Sequence, residues 1–158
     1  VILLTLLLTL VLLPLSGLAI DGSIQYLIRT KLSAAVDAAA LAGARSLSSG
    51  LDLPSQTAAA QATVQKFFAA NFPAGVWGTW NSAIDIGIAE TALKTRTVTV
   101  SASVDSPLYF LRLVGKTTAH IAIEGRASRR DVNIMLVLDR SGSLTTAGAC
   151  DDLRNAAN

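Results

Sequence analysis

Cysteine and histidine each occur once in this 158-residue chain, and charge of either sign is sparse. A lone Cys150 closes no internal disulfide, so cysteine usage assigns no redox compartment. A lone His120 has no second histidine with which to hold a metal, and a solvent-side strand position is expected for it. Charged residues make up only 15% and the net charge is +2. Lys and Arg are scattered, with neither a basic face nor interleaved aromatics, which excludes nucleic acid as a partner. No G-x-S-x-G elbow supplies a nucleophile. Gly115-Lys116-Thr117 ends like a phosphate loop, but Phe110 stands where its first glycine belongs, so no phosphate cradle is spelled out. No enzyme is expected from this inventory. Internal repeats and long low-complexity tracts are also missing.

What the chain does have is apolar bulk, 51% of all residues, concentrated at its start. Residues 1–20 (VILLTLLLTLVLLPLSGLAI) are greasy on every side, and ten of them are Leu. Twenty helical residues rise about 30 Å, the thickness of a bilayer core. At roughly −0.5 kcal/mol per Leu, insertion is favourable by about 5 kcal/mol. No charge opposes it before Asp21. Pro14 and Gly17 are tolerable in a membrane helix, where neighbours re-satisfy freed backbone groups. The alternatives are a buried core helix, which should be striped, and a cleaved signal, for which Gly17–Asp21 is a poor site. A retained span is the expectation.

The helix should then continue to Leu47 as an amphipathic segment. Ile24, Ile28, Leu32, Val36 and Ala39 form one stripe, and Arg29, Ser33 and Asp37 another. Between Ala34 and Ala44 the surface has almost no side-chain bulk, which lets a second helix approach closely. Alanine's high helix propensity accounts for the helix but not for Gly43. Asp21, Gly22, Lys31, Leu32, Ala35 and the run Asp37–Ala44 carry a resemblance to the TadE/TadG-like proteins of tight-adherence (Flp) pilus assembly. The resemblance implies a single-pass inner-membrane protein with its bulk extracytoplasmic, working with other pilus-assembly proteins. Charge alone points the other way, since Arg29, Lys31 and Arg45 lie beyond the span. The first residue is Val rather than Met, so the basic head that would fix orientation is expected to be missing.

Beyond Leu47, Gly50 is expected to close the first helix and Ser55 to cap a second, residues 55–72, that lays Phe67 and Phe68 on a sheet. Trp77 and Trp80 follow in a loop, either at a membrane interface or over a core edge, the second being favoured. Period-two alternation predicts strands at Ala83–Ala89, Thr97–Val104 and Thr117–Ala127, most simply an antiparallel meander. A short helix begun by Pro107 and closed by Gly115 should join the last two. The expected fold is α+β, with a pilin-like layout of long helix, second helix and three-stranded sheet.

After the basic joint Arg126, Arg129 and Arg130, the run Val132–Leu138 is nearly all apolar, as in a central parallel strand. It ends in Asp139-Arg140-Ser141-Gly142-Ser143. This D-x-S-x-S resembles the first strand and metal-ion-dependent adhesion site of von Willebrand factor A domains. Asp139, Ser141 and Ser143 would be hard oxygen ligands for Mg²⁺, with an open position for a partner's carboxylate. The family's later Thr and Asp ligands do not follow before Asn158. The three residues therefore read as half a site, binding metal weakly or not at all in this chain by itself. The Val132–Leu138 strand is expected either to join the meander or to stay poorly ordered. The expected organisation is a span at 1–20, a TadG-like region at 21–128, and a truncated A-domain start at 131–158. The complete protein would bind a partner through the metal. Alternatives are an A-domain protein of another machine, or a structural tether with a non-functional site.

Overall fold

A computed structural model describes residues 1–130, the side chain of Leu13 excepted. The first helix, α1, runs unbroken from Ile2 to Ser46, through Pro14. Its 45 residues extend about 67 Å. The two halves differ as their sequences require. Leu3, Leu7, Leu10 and Leu15 are at least half exposed, whereas Ile28, Leu32, Val36 and Ala39 are fully buried.

The second helix, α2, spans Leu53–Asn71 and returns along α1. Its cap is Asp52 and not Ser55. The Asp52 carboxylate accepts from the Ser55 amide at 2.9 Å, and the Ser55 hydroxyl receives the Asp52 amide at 3.3 Å. Both residue types cap helices well, and only Asp52 leaves Pro54 in the first turn, where its missing N–H is harmless. Gly50 does not close α1 either, because the helix ends at Leu47 in right-handed geometry. The small surface of α1 receives α2: a Cβ on Gly43 would collide with Val64, with the Ala60 carbonyl 3.6 Å away. Because α2 lies mainly on α1, Phe68 is buried and stacks on Phe72 at 6.0 Å, while Phe67 stays 43% exposed. The side of α2 expected on the sheet is thus buried at Phe68 and only partly covered at Phe67.

Three strands, β1 (Trp80–Ala92), β2 (Thr95–Pro107) and β3 (Thr118–Arg130), form the expected antiparallel meander in the order β1-β2-β3. Each has 13 residues, longer than the alternation alone marks out. Val98, Val100, Ala102 and Val104 of central β2 are buried beneath α1. Ile84, Ile86 and Ile88 of β1 and Ile121 and Ile123 of β3 flank them. Close approach of α1 to β3 depends on Gly125, where a Cβ would stand 2.8 Å from both Val36 Cγ1 and Asp37 Oδ1. Two guanidinium groups tie the sheet to the end of α1. Arg96 donates to the Leu47 carbonyl and the Gln56 side chain, each at 2.8 Å, and Arg129 donates to the Arg45 carbonyl at 2.9 Å. Cations there complement the negative end of the helix dipole.

The β2–β3 connection departs from the expected short helix. Pro107 is the last strand residue, and only Leu111–Val114 turn helically, as a 3-10 turn closed by left-handed Gly115 at φ 84°. Val132–Leu138 and the metal triad Asp139, Ser141 and Ser143 lie outside the described residues.

Candidate functional site at the base of the domain

The chemistry of the described chain gathers where α1 leaves the domain. Asp21 is the first charge after the apolar run, yet only 1% of it is exposed. Its carboxylate accepts three backbone N–H groups of the β2–β3 loop: Tyr109 at 3.0 Å, Phe110 at 3.0 Å and Leu111 at 2.7 Å. Leu111 opens the 3-10 turn and Tyr109 and Phe110 lead into it, so Asp21 ties down the entry to that turn from across the molecule. Burial pushes the carboxyl's pKa up, and the amides of Leu111, Tyr109 and Phe110 more than offset it, holding the group below the usual carboxylate range. One turn further back, Phe110 lies on Gly17, where a Cβ would stand 2.6 Å from the Phe110 Cβ. One turn forward, Gln25 donates to the Ser106 hydroxyl at 2.9 Å. Gly17, Asp21 and Gln25 thus present one face of α1 to the end of β2 and the loop that follows it.

Trp77 reaches the same place from the other side. It sits in a 3-10 turn, Val76–Gly78, at φ 48°, and with Ile24, Leu27 and Tyr109 it lines a notch of about 250 Å³. Trp77 is 47% exposed and Trp80 41%, so neither is sealed in the core. Core-edge packing therefore describes only part of each ring.

Residues 1–46 match the family model for Flp pilus-assembly TadE/G-like proteins. That match coincides with α1 and includes Gly17, Asp21 and Gln25. It does not extend to the sheet or to residues 131–158. No curated protein shows significant similarity to the chain, and no solved structure does. The TadE/G-like segment is thus a single helix, which is long and apolar enough to cross a membrane.

Away from this base, the polar groups are ordinary surface chemistry. His120 stands on the solvent side of β3, as expected, with its Nδ1 2.8 Å from Asp105 Oδ1. The His120 contact first, and a hydrogen bond from Asn81 second, hold the Asp105 carboxyl below its usual range. Within the β2–β3 loop itself, the amide of Lys116 donates to the Leu111 carbonyl at 3.1 Å. Among the described residues no cluster of three or more His, Cys, Asp or Glu is placed to hold a metal. The outer sheet face carries a shallow hollow over Asp85, Ser101, Ser103 and Glu124, open to solvent. Asp139, Ser141 and Ser143 lie outside the described residues, so no geometry relates them to the base. The importance of Asp21 has a partial sequence signal, a carboxylate directly after an apolar run. Its partners, 88 to 90 residues away, have none.

Proposed function

We propose that this chain is a membrane-anchored component of tight-adherence (Flp) pilus assembly. Residues 1–20 cross the inner membrane, and the α+β domain stands outside the cytoplasm, where it meets other assembly proteins. The observation that carries this reading is the division of α1. The segment matching the TadE/G-like model is one helix, bare around its apolar half and covered along one stripe of its amphipathic half. Exposed side chains that are apolar on every side of a helix, with only Thr5, Thr9 and Ser16 as polar interruptions, are suited to lipid rather than to a protein core.

The domain's work is binding and positioning, and we assign it no catalysis. From residue 131 onward we propose the opening strand of a von Willebrand factor A-like module. There Asp139, Ser141 and Ser143 would supply oxygen ligands for Mg²⁺ in the complete protein, and the ion would take a carboxylate from a protein partner. Hard oxygen donors after an apolar strand fit that ion.

Membrane fractions washed with alkaline carbonate test the anchor. The chain should stay with the membrane, and removal of residues 1–16 should release it. Partner capture by the complete protein, with and without Mg²⁺, tests the module. Asp139→Ala should abolish the Mg²⁺-dependent part, and equal capture by both forms would leave a structural tether.

A further inference from the structure

We infer that the loop joining β2 and β3 is a second lipid contact, dipping into the headgroup–acyl boundary of the bilayer that α1 crosses. The inference rests on residues 1–20 being a membrane span.

The loop's depth is fixed by its contacts. Phe110 packs on Gly17, three residues inside the end of the span, which is about 4.5 Å along the helix axis. Asp21 holds three successive amides of the same loop, so the 3-10 turn Leu111–Val114 is pinned at that level. From the turn, Leu113 is 85% exposed and Val114 73%. They extend the apolar surface of the span itself, where Leu15 and Leu18 are 57% and 52% exposed. Exposed Arg112 and Lys116 stand on either side. Long cationic chains so placed reach lipid phosphates while their stems lie along apolar surface. Half-exposed Trp77 and Tyr109, just above, have the amphipathic rings that favour this depth. At the opposite end of the domain the described residues also expose Leu93, Leu51 and Leu53, but no Trp or Tyr accompanies them and none is tied to the span. Two attachments on one side of α1 would set the angle at which the domain stands on the membrane.

Leu93 and Leu113 provide a matched comparison, because they are 86% and 85% exposed. In the full chain with Cys150→Ser, a fluorophore is placed singly at Leu8→Cys, Leu93→Cys or Leu113→Cys. Each protein is reconstituted into phosphatidylcholine–phosphatidylglycerol vesicles with or without brominated acyl chains. The label at position 113 should lose roughly half its emission to the bromolipid, as position 8 does, while position 93 is unchanged. If position 8 is quenched and 113 behaves like 93, the span stands and the loop contact falls. If position 8 is also unquenched, the membrane reading itself fails. Quenching at position 113 that appears only when the protein is diluted in lipid would assign the loop to a second copy of the chain and overturn the proposal.

Discussion

At the scale of single residues, Asp21 decides whether the base of the domain is held together. Three charge-assisted hydrogen bonds converge on one buried carboxylate. Asp21→Ala leaves three amides without that partner, and a cost of about 2–3 kcal/mol is expected. Asp21→Asn keeps an acceptor but not the charge and should cost about 1 kcal/mol. Hydrogen exchange at Tyr109, Phe110 and Leu111 measures both, and fast exchange should be confined to that loop. The pH dependence has a definite sign. A carboxyl whose folded pKa is depressed contributes stability that is fully present above its ordinary 3.8. That contribution disappears as pH falls through the lower folded value, so the protection of the three amides relative to their intrinsic exchange should fall only in that acidic window. Sequence reading reached Asp21 as the end of a span. It could not reach the hydrogen bonds to the loop, because local spacing carries no trace of a partner nearly ninety residues away.

Elements were legible wherever periodicity is enforced by burial. The stripe Ile28, Leu32, Val36, Ala39 and the alternation Val98, Val100, Ala102, Val104 are buried as read, since each has only one apolar face to hide. Boundaries were less legible, because chemically equivalent signals compete there. Asp52 and Ser55 are both good caps, and Pro107 suits a strand's last residue as well as a helix's first. The close approach of α1 and α2 was visible as an alanine-rich surface with Gly43 inside it. Gly43→Ala tests which of two effects wins. Helix propensity gains about 1 kcal/mol. The new methyl runs into Val64, whose branched side chain has little rotamer freedom, and overpacking of that kind costs about 1–3 kcal/mol. Net destabilisation is expected, seen as a lower urea midpoint, and the double variant Gly43→Ala, Val64→Ala should recover part of it.

For the molecule as a whole, α1 is both anchor and spine, with the changeover between Gly17 and Asp21. Among the described side chains of residues 1–20, Gly17 is the one position buried by the domain. The described side chains before it are exposed in isolation, so they add little buried area to the fold, whatever they contribute to membrane insertion. Asp21, Gln25, Ile28 and the residues after them carry the loop, α2 and the sheet. A chain lacking residues 1–16 should therefore fold, remain monomeric without detergent, and unfold at nearly the temperature of the full chain in micelles. A chain lacking residues 1–22 loses the three Asp21 hydrogen bonds and the Gly17–Phe110 contact together. Its melting temperature should fall by roughly 5–10 °C, as expected for 2–3 kcal/mol in a domain of this size. Circular dichroism melts of the two truncations separate the alternatives. Equal melting would mean that the loop is held by the sheet alone. Loss of the fold in the longer chain would mean that the greasy segment is part of the core after all.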